Sequence, residues 1–396
     1  MPYDFDAIIV GAGPAGLATG LTLAKNGKSV VIFDKEGREA RWPRGETFHR
    51  RSIVESEILY PGFYDRHAIN RTNRRIYYSS SGKKSTAVTL KHGDENIIFE
   101  YGPFIEDVTR CAAEAGADVR FGHTVADTVE ENGCITGVQV EAPSGLQAFT
   151  SPVVVGAGGA ACLVARKTGV AADLLVNPIM KVIGEAPNFV ENRIEYHFVS
   201  GNGNLPGVCF VFPRGGHRVE TGYSIFPECL PNPADAGNID PEPEWERLLA
   251  THPTYSKVMA GLEPDFKGKS VIPFARLVGN LLPRPGAILV GDAVSQVEPM
   301  GGSGINAALE MGYYVARACL STLYPRAEGK EQLNAAFWQT IQSEMLAKIK
   351  TSPRYLKLQS QYKLIPPFKQ WLFKKNGDPK KMDRRWWVFN LLLKMQ

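Results

Sequence analysis

Two glycine-rich stretches carry residues that could do chemistry. Gly11-Ala12-Gly13-Pro14-Ala15-Gly16 follows the apolar run Asp6 to Val10, and Asp34 stands 23 residues after Gly11, closing a second apolar run from Ser29 to Phe33. In a strand–turn–helix setting each residue has a use. Gly11 permits a tight turn, Gly13 lets backbone approach a pyrophosphate, and Gly16 lets the helix lie close on the strand. A helical run follows from Leu17 to Asn26, and its start offers unpaired N–H groups and a partial positive charge to phosphate. Asp34, with Lys35 beside it, can accept both hydroxyls of a ribose. NAD and FAD both satisfy this pattern.

The second stretch follows the apolar run Ala287 to Val290. It reads Gly291-Asp292-Ala293, then Glu298-Pro299-Met300-Gly301-Gly302-Ser303-Gly304-Ile305-Asn306, ahead of a helical run from Ala307 to Leu323. An acid at a strand end and a glycine-rich helix entry make a platform for an anion or a flat ring. Asp292 can hydrogen-bond a ribityl chain. Backbone at Gly302 to Gly304 can lie against a ring with no Cβ in the way.

The chain that must position these residues has 396 of them, 44% hydrophobic and 22% charged. That is ample for two or three globular domains and excludes a disordered, collagen-like or coiled-coil protein. No apolar run approaches the length of a membrane span. The first apolar run is too short for a signal peptide and leads straight into the glycine turn. Six cysteines form no CxxC pair and no metal-ligand spacing, so a reduced, cytoplasmic protein without metal is expected.

Between the glycine motifs, an apolar-periodic helix runs from Phe104 to Ala115. Residues 75–100 and 176–270 alternate like strands and are expected to form a mostly antiparallel sheet. Its Phe189, Tyr196, Phe198, Phe210, Phe212 and Tyr223 would suit a greasy substrate. Gly156-Ala157-Gly158-Gly159-Ala160-Ala161 mimics a dinucleotide turn, but no acid follows it at the needed distance, so a plain tight turn is expected there.

The net charge of +4 hides an asymmetry: residues 348–396 hold 13 Lys/Arg and two acids, a net of +11, leaving −7 on the rest. Trp371, Trp386, Trp387 and several Phe and Leu residues interleave with those cations. Such a segment suits an anionic membrane surface or an acidic carrier or electron-donor protein; alternatively it packs its aromatics on the body. Nothing else in the chain supports nucleic acid as a partner.

Together the two motifs, with 281 residues from Gly11 to Asp292, resemble those of FAD-dependent oxidoreductases of the aromatic-hydroxylase-like superfamily. The pattern is closest to the geranylgeranyl reductase branch, through Val164 to Gly169 and through Val208 to Pro213 with Arg214 to Gly222. The resemblance implies non-covalent FAD. Gly11, Gly13, Pro14, Ala15, Gly16, Asp34 and Lys35 would hold the ADP half, with Thr124 and Val125 at the adenine. Gly291, Asp292 and Pro299 would serve the ribityl and pyrophosphate region; Gly302, Gly304, Ile305 and Asn306 would border the isoalloxazine. Arg44-Gly45 would lie in a loop near the flavin, and Gly158 sits where the family has an acid.

That missing acid, with Ala161 and Cys162 beside it, puts direct use of NADPH in question and leaves the reductant open between NAD(P)H and a separate donor. Arg44 also replaces the cysteine of the reductases' CGE loop. Weak catalytic candidates are Arg44, which could stabilise an anionic reduced flavin or a peroxyflavin, and Glu46 and His49 for proton donation, with His197, His217 and Cys209 behind them.

The expected fold is α/β. A Rossmann-type FAD domain is built from residues 1–74, 100–175 and 271–340, an inserted antiparallel substrate domain from 75–99 and 176–270, and a basic helical tail from 341–396. The expected activity is reduction of C=C in an apolar, isoprenoid or lipid-like substrate by hydride from flavin N5. One alternative is a monooxygenase or halogenase using a peroxyflavin, for which no tryptophan-halogenase WxWxIP motif is present. Another is a non-catalytic or electron-relay flavoprotein. The expected location is cytoplasmic, with peripheral contact to the inner membrane face through the tail.

Overall fold

The computed structural model describes residues 3–38, 45–49, 53–142, 145–189, 191–201, 203–328, 333–374 and 378–394, with backbone alone at 45–49, 374 and 394. Short, wholly apolar strands define its first layer. Ala7–Val10 and Val30–Asp34 are joined by Val154–Gly156, Ala287–Leu289 and Asp118–Phe121 in one five-stranded parallel sheet. Its order is 287–289, 154–156, 7–10, 30–34, 118–121. Strands buried on both faces need no alternation, which is why AIIV and VVIF read as continuous runs.

The helix Pro14–Lys25 lies on this sheet and is covered in turn by Ile305–Ala318 and Tyr101–Glu114. Ala15 through Ala24 are all buried. Small residues make the close crossing possible: a β-carbon on Gly312 would stand 2.3 Å from the Ala15 carbonyl oxygen. Thr19 returns its hydroxyl to the Ala15 carbonyl at 2.7 Å, so the buried oxygen stays paired. Leu17, Leu21 and Leu23 are fully enclosed, each contributing about 1.5–3 kcal/mol.

The second large layer is a seven-stranded sheet. Its order is Glu263–Ile272, Asn177–Glu185, Arg218–Ile225, Asn204–Gly215, Ile194–Gly201, Arg74–Tyr78, Ser85–Thr89. All its pairs are antiparallel except that between 194–197 and 75–78, which is parallel. Two further three-stranded sheets were not foreseen: Thr124–Glu131, Cys134–Ala142 and Gly145–Thr150 form one, and Gly45–His49, Asn96–Glu100 and Ala68–Thr72 the other. Residues 96–100 thus pair with 45–49 and 68–72 instead of joining the large sheet.

Helices begin earlier than the sequence reading placed them, at Pro14, Tyr101 and Ile305, because Pro14 and Pro103 are tolerated in a first turn. The helical path from Ile305 continues to Ala327 through a π turn at Cys319–Leu323. The chain closes with Ala335–Lys350, Pro353–Lys369 with a π turn to Lys374, and Pro379–Lys394. Residue 340, the expected end of the FAD segments, lies inside Ala335–Lys350.

Candidate flavin site

At the end of the first strand the backbone turns sharply. Gly11 has φ +110, its N–H donates to the Phe33 carbonyl at 2.8 Å, and a β-carbon there would lie 2.5 Å from the Ala157 oxygen. A β-carbon on Gly16 would lie 2.0 Å from the Gly11 oxygen. Both positions therefore require glycine for packing. Gly13 is different: no atom stands within 4 Å of its β-carbon position, at the N-cap of a helix with no acid in its first turn. This open cradle under free N–H groups fits a pyrophosphate.

Asp34 closes the second strand. Its carboxylate accepts the Ala12 N–H at 2.7 Å and the Glu36 N–H at 2.9 Å. Its carbonyl accepts the His123 N–H at 2.9 Å, which sets Thr124 and Val125 alongside. Lys35 is exposed and paired with Glu36 at 3.6 Å.

The late motif meets the early one. Gly291 has φ +70, and its β-carbon position is 3.0 Å from that of Ala15. Gln296 accepts the Gly291 N–H at 2.7 Å and holds the turn. A β-carbon on Gly304 would lie 3.5 Å from Asp292 Oδ1, so the acid sits beside the helix entry. Glu298 then folds the glycine loop, accepting N–H groups of Met300 at 3.1 Å and Gly301 at 2.8 Å. Pro299 is buried, and Gly302, at φ +73, packs 3.2 Å from the Phe274 ring through its β-carbon position. Tyr64 donates to Asn306 Oδ1 at 3.0 Å, fixing the first turn of Ile305–Ala318. Gly158 follows the strand Val154–Gly156 and opens a 3-10 turn packed beside Gly291–Val294.

Gly45 is part of a strand, paired with Glu100, and so is not in a loop. Glu46 and His49 lie on the same strand, opposite Phe99 and Asn96; their side chains, and Arg44 entirely, lie outside the described residues. Three weaker candidates are displaced from the site. His197 and Cys209 point to the far face of the seven-stranded sheet. There His197 bonds Glu195 at 3.0 Å and Thr254 at 2.7 Å, and Cys209 packs beneath the helices Glu242–Thr251 and Tyr255–Val258. His217 is exposed at a hairpin.

Period-2 alternation also corrects the aromatic lining. Tyr223 and Phe189 belong to that far-face cluster. The near face carries Phe198, Phe210, Phe212, Tyr196 and Tyr77, the last two stacked at 5.1 Å. Over this face and the glycine loop lies the tail. Ile365, Phe368, Phe373, Trp386 and Phe389 share a buried cluster with Tyr77, Phe198, Phe274, Val297 and Met300. The tail's inner aromatics thus pack on the body.

Residues to which the sequence assigned no role of their own complete the site: Glu298, Gln296, Tyr64, and the buried pair Lys369 and Glu228. Glu298 alone left a signal, an acid two and three residues before backbone N–H groups of a glycine turn. Among the described residues no cluster of His, Cys, Asp and Glu could hold a metal, and no helix is long and apolar enough to cross a membrane.

Two phosphate-type turns meeting across a parallel sheet, under an aromatic sheet face, define an FAD-binding fold. Residues 4–334 match the family described as FAD binding domain, and the chain belongs to it. It is an FAD-dependent oxidoreductase. It is 25% identical over 333 residues, 82% of this chain and 76% of the relative, to digeranylgeranylglycerophospholipid reductase 1 of Methanococcoides burtonii. It is 28% identical over 321 residues, 78% of each chain, to the corresponding reductase 1 of Methanopyrus kandleri. Among solved structures, a geranylgeranyl bacteriochlorophyll reductase-like protein of Thermoplasma acidophilum shares the fold with TM-score 0.69 and 17% identity, covering 96% of this chain and 95% of that one. The myxobacterial chondrochloren halogenase CndH does so with TM-score 0.63 and 16% identity, at 96% and 94% coverage.

Proposed function

We propose that this flavoprotein reduces carbon–carbon double bonds of an isoprenoid or similar lipid-like substrate. The observation that carries the reading is the aromatic near face of the seven-stranded sheet, turned to the glycine loop and roofed by the tail. A largely aromatic face beside the cofactor loop favours contact with a long apolar chain. The curated relatives carry names of the same chemistry. FAD, when bound and reduced, supplies hydride and its electron pair. The chain's own residues would hold it: the cradle at Gly13 would receive phosphate, Asp34 the ribose and Asp292 the ribityl region, and the backbone of Gly302 to Gly304 would border the ring.

The test is anaerobic. FAD-loaded protein is reduced with dithionite and mixed with a digeranylgeranylglycerophospholipid, and the 450 nm band is followed. Recovery of the band with a saturated product supports the reading. Recovery only with oxygen, alongside hydroxylation or halogenation of a phenolic substrate, replaces it with the oxygen-using alternative. Bleaching by NADPH in place of dithionite identifies the reductant; its failure points to a separate donor protein.

A lipid substrate also gives the tail's outer face a role, which we infer to be contact with an anionic membrane surface. Of eight exposed large hydrophobic residues among those described, five (Leu356, Leu364, Trp371, Trp387, Leu391) lie on this one segment, amid its net positive charge. Sedimentation with phosphatidylglycerol vesicles but not with phosphatidylcholine vesicles is the expected result; equal recovery in both supernatants would remove this role.

A further inference from the structure

Tyr196 stands between the glycine loop and the seven-stranded sheet. It lies on the near face of Ile194–Gly201, and its hydroxyl is 3.5 Å from the β-carbon position of Gly301. It forms no hydrogen bond with a described residue, although its ring is held on three sides. Tyr77 stacks on it at 5.1 Å and 12°, Phe212 meets it edge-on at 6.1 Å, and Phe210 is its cross-strand partner. Two charged groups act on its phenol, the Arg75 guanidinium and the Glu298 carboxylate. Glu298 is already committed to loop N–H groups, and Arg75 also bonds Asn96 at 3.1 Å. A proton donor for an alkene must be rigid, protonated at neutral pH, and next to the ring surface. Tyr196 offers such a group at the glycine loop, its hydroxyl 3.5 Å from the Gly301 β-carbon position.

We propose that Tyr196 is the proton donor of the reduction, an assignment that rests on the reductase reading above. One alkene carbon takes hydride with its electron pair from reduced FAD. At the other carbon a C–H bond forms as the Tyr196 O–H bond breaks. The phenolate left behind recovers a proton from solvent, so the tyrosine is neither oxidised nor reduced. Burial pushes the Tyr196 phenol above its ordinary value, which keeps the proton in place until the substrate arrives. Arg75, the nearby cation, offsets the transient negative charge. Tyr77 is tucked deeper and bound to Arg75, which leaves it a supporting part.

The test uses FAD-loaded wild type, Tyr196→Phe and Tyr77→Phe, with FAD occupancy matched by absorbance. The first readout is placement, without turnover. Excited flavin takes an electron from a phenol in contact with it but not from a phenyl ring, so the fluorescence lifetime of bound FAD should lengthen several-fold in Y196F. An unchanged lifetime would put the hydroxyl away from the ring and overturn the proposal. The second readout is anaerobic reoxidation of the dithionite-reduced protein by digeranylgeranylglycerophospholipid. A general acid is worth about 100-fold or more. Y196F should be slowed by at least that, with Y77F much less affected. A reactive wild type with Y196F within about threefold of it ends the donor role alone. An inert wild type ends the reductase reading, and the donor role with it.

Discussion

Lys369 Nζ stands 2.6 Å from Glu228 Oε1, joining the tail to the end of the substrate sheet at a point where both side chains are at most 3% exposed. The ammonium also lies 4.0 Å over the Phe226 ring centroid and 4.9 Å from that of Phe274, the ring that packs on Gly302. A buried ion pair adds little net stability, but losing one partner strands a charge. Glu228→Gln should therefore cost about 3–5 kcal/mol, whereas the double change Lys369→Met with Glu228→Leu should recover most of it. Urea unfolding of the three proteins reads this directly; equal loss in single and double variants would mean the pair is held for its shape and not its charge.

The three glycines of the first turn separate fold from cofactor. Gly16→Ala puts a β-carbon 2.0 Å from the Gly11 oxygen and should prevent the strand and helix from closing. Gly13→Ala meets nothing within 4 Å, so the apo-protein should melt as wild type does. Its methyl group projects into the phosphate cradle, and FAD affinity should fall at least about tenfold, or 1.4 kcal/mol. Titration of FAD into each apo-protein, followed by flavin fluorescence, checks both. A Gly13→Ala protein with full affinity would mean that phosphate does not rest on this turn.

The two turns were legible because their physics is local. Glycine at Gly11 and Gly291, and acids at Asp34 and Asp292, are demanded within a few residues of a strand end. The expectation of FAD followed from the same short stretches. What faces the ring was not legible in that way. Tyr196, Phe210, Tyr223 and Cys209 look alike in sequence, and only register decides which face each takes: a one-residue shift exchanges the site's aromatics for far-face core. Lys369 and Glu228 lie 141 residues apart, and their pairing depends on how the tail docks. The small sheet of Gly45–His49 was missed because its strands come from three separated segments.

Acid should loosen the far face of the substrate sheet. Burial lowers His252 to about 4, against a bond from its ring to the Phe198 carbonyl, and burial lowers its neighbour His197 as well. A group whose folded pKa is depressed stabilises fully above its unfolded value and loses that contribution as pH falls toward the folded one. For His252 the window is roughly pH 6.5 down to about 4, and the loss is on the order of 3 kcal/mol. Asp107 adds a second, lower window. Burial alone would raise it, but bonds from Tyr60, His67 and Arg110 hold it at about 2, so its contribution disappears between roughly pH 4 and pH 2. Urea midpoints should drop steeply from pH 7 to pH 5 in wild type and less in His252→Gln. Parallel slopes would assign the acid sensitivity elsewhere.

The tail presents two faces, and single substitutions should tell them apart. Phe389 is fully buried against Tyr77 and Phe198, with ring centroids 5.3 and 5.4 Å away, and Trp386 donates its indole N–H to Thr86 at 2.9 Å. Trp387, next in sequence to Trp386, is 67% exposed. Phe389→Ala removes a core aromatic and should cost about 3–5 kcal/mol, detaching the roof from the near face. Trp387→Ala should change stability by no more than about 0.5 kcal/mol. Vesicle binding should respond in the opposite way. Trp387→Ala, combined with Lys380→Glu and Lys381→Glu, should abolish sedimentation with anionic vesicles at unchanged melting temperature, because ring burial and charge act together at the headgroup boundary. If the triple variant still sediments with those vesicles while folding normally, the cations and Trp387 of the last helix are not the contact, and the membrane role has to be given up for this face.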